Sequence, residues 1–151
     1  MKKTIQIAVS MFLLCAMAAC QKAAGIQVTD AWGRASPNVT STGAFYMTLQ
    51  NQTNEVDRLT GVQTTACGTV ELHETYMTED GAMGMRPVAG GVIEIPANGE
   101  VNLEPGGLHV MCLDKIEDFT AGKKITLTLK FEKAGEVQVT AEIKEVQGMS
   151  D

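Results

Sequence analysis

Two histidines, His73 and His109, and a cluster of methionines are the residues best suited to do chemistry in this chain. "GGLHVMCLDK" places His109 and Met111 at i and i+2, and "TVELHE" carries His73. Between them runs "ETYMTEDGAMGMRPVAGG", with Met77, Met83 and Met85 within nine residues among Thr, Glu, Asp and Gly. Methionine usually fills gaps in cores, and this polar, Gly-rich stretch reads as a loop with no apolar stripe to explain three of them. Thioethers without a thiolate select Cu(I), and imidazole suits Cu, Zn and Ni. Two imidazoles and two thioethers make a neutral set that holds a monovalent soft ion without proton exchange. Zinc fits less well, because its closed sites favour Cys, His and carboxylate.

Strands must position these groups. Alternation in "TVELHE" puts Val70 and Leu72 on one face, with Glu71 and His73 on the other. In "LHVMCL", Leu108, Val110 and Cys112 share the core face, leaving His109 and Met111 opposite. At i, i+2 two strand residues lie roughly 6.5–7 Å apart along the backbone, close enough to converge on one ion. Both histidines are expected on outer, wetter faces, where a solvated side chain is the ordinary alternative to a ligand. "KITLTLKF" (124–131) alternates strictly, and after "EKAGE" so does "VQVTAEIKEV", a β-hairpin. "GAFYMTLQN", "GTVELHE", "GVIEIP" and "EVNLEP" are further strands, separated by "NQTN", "EDG", "PANG" and "PGG" turns. No amphipathic helix of ordinary length follows residue 25. The fold class is all-β, an antiparallel sandwich or barrel in a single domain.

The ends and the charge narrow the setting. "MKK", an apolar run and "AAC" have the layout of a lipoprotein-type secretory signal over residues 1–19. Cys20 is then the lipid attachment site, and residues 20–25 a tether before a β domain at 26–147 and a short tail at 148–151. The protein is expected to be exported, periplasmic and anchored by lipid, since no later segment has the roughly 20 apolar residues of a membrane span. Loss of residues 1–19 takes Lys2 and Lys3 from 12 basic against 18 acidic side chains, leaving ten against eighteen, or −8. Such a chain lacks the basic patch that nucleic acid requires, and nothing in its charge draws the domain onto anionic lipid. With Cys20 modified and Cys15 removed, Cys67 and Cys112 remain in a compartment that permits disulfides. They are either bridged or two buried thiols, and sequence leaves that open.

"VELHETYM", "GAMGMRPV" and "PGGLHVM" resemble the periplasmic Cu(A) chaperone (PCuAC) family. Its signature is a His, a Met about a dozen residues later, then His-x-Met some twenty residues on. "DAWGRASP", "GAFYMTLQN" and "IEIPANGEVNLEPGG" extend the resemblance over about residues 26 to 143. It implies a cupredoxin-like Greek-key sandwich and a Cu(I) site formed by His73, Met85, His109 and Met111. Met83 and Met77 would be neighbours, with Met83 a substitute for Met85. It also implies delivery of copper to a copper acceptor protein, the Cu(A) subunit of cytochrome c oxidase or another copper chaperone, with no enzymatic activity. The chain departs from the pattern in a longer Met85–His109 interval, in cysteines at 67 and 112, and in a tail whose one methionine is Met149.

Other classes have specific requirements. A blue-copper electron carrier needs two His and a Cys thiolate, yet Cys112 is expected on the face opposite His109. A hydrolytic or redox enzyme lacks a third histidine, a nucleophile triad and a C-x-x-C. Carboxylates at Glu74, Glu79 and Asp80 suit a hard cation or simply water. A metal-free structural or adaptor lipoprotein would leave the histidines and methionines as surface residues.

Overall fold

A computed structural model describes residues 25–36 and 39–146. The signal segment, Cys20, most of the tether and Met149 lie outside the described residues. Ten strands follow in order: β1 (Ile26–Arg34), β2 (Gly43–Asn51), β3 (Asp57–Gln63), β4 (Cys67–Met77), β5 (Met83–Pro87), β6 (Ile93–Ile95), β7 (Glu100–Leu103), β8 (Leu108–Lys115), β9 (Lys124–Phe131) and β10 (Gly135–Lys144). The only helical turn among the described residues is a 3-10 turn at Ala89–Gly91. Sheet order is β5-β4-β8-β7-β2-β1-β10-β9-β3-β6. Most sheet neighbours are therefore distant in sequence, the crossovers of a Greek-key arrangement.

The sheet curls until its two halves share one core. Leu72 and Val110 from the β4–β8 half pack in the same cluster as Leu59, Ile95, Leu127 and Leu129 from the other. The alternation in β9 is obeyed: Ile125, Leu127, Leu129 and Phe131 are all buried. Each such side chain contributes about 1.5–3 kcal/mol when removed from water. Cys67 and Cys112 are joined, with Cα atoms 5.5 Å apart and a sequence separation of 45.

Three strands were not legible from alternation. In β1 the pairing with β2 shifts between Thr29 and Trp32, and Asp30 takes a φ of 52°. In β3 the pairing with β9 shifts between Leu59 and Gly61. Such bulges add a residue to one strand and break its period of two. The third is β5, which turns the expected Gly-rich loop into half of a hairpin with β4.

Core burial fixes the register that matters for the site. Leu72 pairs with Val110, and the next rung pairs His73 with His109. A slip of one residue would turn Leu72 and Val110 outward, at about 1.5–3 kcal/mol for each. The apolar face of β4 and β8 thus sets which polar residues meet on the other face.

Candidate metal centre

The register brings the candidate residues onto one face. On β4 and β8, His73 stands opposite His109 and Glu71 opposite Met111. On β4 and β5, Pro87 stands opposite His73, Met85 opposite Thr75, and Met83 opposite Met77. All of these residues differ by even steps along their own strands, so their side chains emerge on the same side. The longer interval between Met85 and His109, which contains the 3-10 turn and β6, leaves His109 on this face.

The imidazoles are 5.8 Å apart between ring centroids and meet edge-on at 61°. Contrary to the expectation of wet outer positions, His73 is 8% and His109 3% exposed. Aromatic rings flank them on that face. Tyr46 of β2 lies with its ring 6.3 Å from His109, and Trp32 of β1 packs against Tyr46 at 4.6 Å. A row of rings therefore crosses four strands from Trp32 to His73. Burial pushes the Tyr46 phenol pKa up, with the charge of Arg34 opposing.

Each histidine has one nitrogen engaged and one orphaned. His73 Nε2 donates to a Glu71 carboxylate oxygen at 2.8 Å, while its buried Nδ1 has no partner. His109 Nδ1 donates to the Gly107 carbonyl at 3.1 Å, while its buried Nε2 has none. A carbonyl accepts only, so the proton of His109 belongs on Nδ1, and the free nitrogen presents a lone pair. Burial pushes the His109 pKa down, the Gly107 hydrogen bond opposes, and the nearby His73 adds to the depression. A neutral imidazole with its second N–H held by a carbonyl or carboxylate is the usual arrangement of a metal-binding histidine. An unpaired buried acceptor costs about 1–3 kcal/mol. A soft cation between the rings would recover that cost.

A cleft of about 690 Å³ opens beside His109, lined by His109, Met111, Met83, Met85, Tyr46 and Arg34 among others, while His73 stands behind His109 and is not part of its lining. Met83 and Met85 share that cleft with His109 and are 65% and 60% exposed. Met77 does not line the cleft and lies further out at 68% exposure.

The expected loop is a braced hairpin. Met83 and Met85 alternate with Gly84 and Arg86, a stripe missed because its polar side holds only those two residues. On the reverse face Arg86 Nε donates to Glu74 Oε1 at 2.8 Å, and its guanidinium stacks 4.7 Å over Tyr76. A Cβ at Gly84 would meet the Tyr76 ring at 2.8 Å, so only glycine lets that ring lie flat across β5. The tip is closed by Thr78, whose N–H and hydroxyl both donate to the Ala82 carbonyl. Gly81 supplies the positive φ of 83° there.

Sequence reasoning also missed the supports. Glu71 and Gly107 each precede a histidine by two residues, the one available signal for both. Among the described residues no group of three or more His, Cys, Asp or Glu is assembled to hold an ion. The donors on offer are two imidazoles and the thioethers. Cys112 cannot supply the thiolate of a blue-copper centre, because its sulfur is bonded to Cys67.

A single-core, cupredoxin-like β domain with a buried imidazole pair, one ring of which lines a cleft that also holds thioethers, is the class that fold and site define. The family described as "Putative lipoprotein LpqE-like" matches residues 26–143, and the chain belongs to it. It is 30% identical over 131 residues to Lxx21020 of Leifsonia xyli subsp. xyli (strain CTCB07), likewise named a lipoprotein of that kind, covering 87% of this chain and 76% of the relative. Among solved structures it is similar to the copper-bound PCuAC domain from PmoF2, with 28% identity, a TM-score of 0.66, and coverage of 81% of this chain and 94% of that one. It is also similar to the CuI form of DR1885 from Deinococcus radiodurans, with 29% identity, a TM-score of 0.59, and coverage of 84% and 85%.

Proposed function

We propose that this protein is a copper chaperone that carries Cu(I) as cargo on His73, His109, Met111 and Met85. The observation that carries the reading is the pair of orphaned, buried imidazole nitrogens on register partners. It is supported by the cleft that sets thioethers beside His109 and by the copper-bound and CuI states of two similar structures. The four donors are neutral, so the bound ion keeps a single positive charge, and the Glu71 carboxylate offsets it through His73. Thioethers prefer the monovalent ion and hold it less tenaciously than thiolates would.

The geometry suits transfer. The imidazoles are fixed by their hydrogen bonds and burial, whereas Met85 is exposed and rotates about three side-chain bonds. An acceptor replaces these ligands one at a time from the exposed thioether side, so copper is never released to water. The acceptor is the Cu(A) subunit of cytochrome c oxidase or another copper chaperone. We place the protein in the periplasm, exported by residues 1–19 and held to the membrane by lipid on Cys20, in keeping with its lipoprotein family. No enzymatic role is assigned.

The test is a competition titration with a chromophoric Cu(I) chelator under reducing conditions, followed by mixing with a purified Cu(A) domain. The wild type takes up Cu(I) and passes it on. His73→Ala/His109→Ala, folded by circular dichroism, loses at least a hundredfold in affinity. Equal uptake by the variant, or copper that never reaches the Cu(A) domain, contradicts the proposal.

A further inference from the structure

The β4–β5 hairpin gives the site above one thioether, Met85, yet it concentrates more exposed sulfur than that site uses. Met77, Met83 and Met85 are among the most exposed large apolar side chains of the described domain. Methionine is ordinarily buried, and these three pack into no core cluster. Their placement follows a rule. Met77 and Met83 are direct cross-strand partners, and Met85 stands on the next rung of the same face, opposite Thr75. Directly opposed residues have Cβ atoms about 4.5–5.5 Å apart, and the diagonal pair Met77–Met85 is about 7–8 Å apart. Three flexible thioethers at those spacings can converge on one ion.

We infer that Met77, Met83 and Met85 form a second, all-thioether Cu(I) site at the outer end of the hairpin. The donor type excludes the common competitors. Sulfur ligands without charge or nitrogen discriminate against Zn(II), Mg(II) and Ca(II), whose sites are built from nitrogen, thiolate or oxygen. The tip also carries Glu79 and Asp80 beside the methionines. An exposed anion beside uncharged donors draws cations to the tip without itself binding soft ions tightly. On the reverse face the Arg86–Glu74 and Arg86–Tyr76 contacts hold the two strands together, so the sulfur face is presented on a fixed ladder.

Because Met85 belongs to both sulfur sets, the two sites connect. The rungs run outward as His73–Pro87, Thr75–Met85 and Met77–Met83. An ion on the outer trio reaches the imidazoles by keeping Met85 and exchanging the other two sulfurs for nitrogen. The outer site is thus the entry and exit station of the inner one. This connection rests on the His/Met reading; the existence of the outer site does not.

The test uses the protein with its methionine methyl groups labelled with carbon-13, titrated with Cu(I) under reducing conditions. In His73→Ala/His109→Ala the inner site is removed. The Met77, Met83 and Met85 methyl signals still shift together, and X-ray absorption shows copper with sulfur neighbours and no imidazole. Adding Met77→Leu and Met83→Leu, both at exposed positions, abolishes that binding at least tenfold. In the wild type the same two Leu substitutions leave equilibrium affinity within about threefold but slow copper transfer at least tenfold. Methyl signals of Met77 and Met83 that stay at their copper-free positions up to excess Cu(I), in both backgrounds, overturn the outer site. That result leaves the inner site standing, and the inner site alone fails if the wild type binds copper with no nitrogen neighbour.

Discussion

Glu71 stands two residues before His73 on the same strand face and accepts a hydrogen bond from its Nε2 at 2.8 Å. This fixes the ring, assigns the proton, and leaves the buried Nδ1 without a partner, the atom that would face the proposed ion. Partners of this kind typically contribute 10–100-fold to metal affinity. Glu71→Ala is expected to weaken Cu(I) binding by about that factor in a chelator competition, while circular dichroism stays unchanged. An unaltered affinity would detach Glu71 from the site.

Met85 and Met83 both line the cleft, and the proposed inner site uses Met85. Leu replaces Met at a cost usually under about 1.5 kcal/mol, so folding should survive either change. Met85→Leu is expected to lower Cu(I) affinity at least tenfold, and Met83→Leu less than about threefold. The reverse order would exchange their roles.

The Arg86 contacts are exposed, and each contributes about 1 kcal/mol or less. They act on the hairpin alone, because β5 has no other strand beside it. Arg86→Ala should therefore speed amide exchange in Met83–Pro87 by about fivefold without moving the midpoint of global unfolding. Exchange at the wild-type rate would show that the backbone ladder suffices.

The disulfide closes a long loop. With a sequence separation of 45 between Cys67 and Cys112, the chain-entropy model gives roughly 4 kcal/mol of stabilisation. Urea denaturation of Cys67→Ala/Cys112→Ala should show a loss of about 2–4 kcal/mol. Its Cu(I) stoichiometry should be unchanged, since neither sulfur is a proposed ligand. A lost equivalent of copper would implicate them.

Legibility in the sequence followed the strength of the periodic signal. β9 was readable because Ile125, Leu127, Leu129 and Phe131 face one core while Thr and Lys face water. The parity of His109, Met111 and Cys112 came from the same rule, and the structure keeps His109 and Cys112 on opposite faces. What failed was the inference from parity to exposure. His73 and His109 are on the non-core face as expected, yet they are buried there, and no local pattern announces that Tyr46 and Trp32 from β2 and β1 continue the row of rings beside them. Bulges hid β1 and β3. In β5 the stripe of Met83 and Met85 was present, but Gly84 and Arg86 gave too little contrast to mark a strand. The disulfide was left open by the sequence because proximity across β4 and β8 is a matter of register.

The central claim is that two imidazole nitrogens and two thioether sulfurs share one Cu(I) ion. X-ray absorption at the copper K-edge, on wild-type protein loaded with one equivalent under reducing conditions, counts those neighbours directly. The account predicts a Cu(I) edge with both nitrogen and sulfur scatterers, the nitrogen contribution showing the outer-shell pattern of imidazole and disappearing in His73→Ala/His109→Ala. A shell of oxygen and nitrogen without sulfur, or imidazole scattering that persists in the variant, would contradict it.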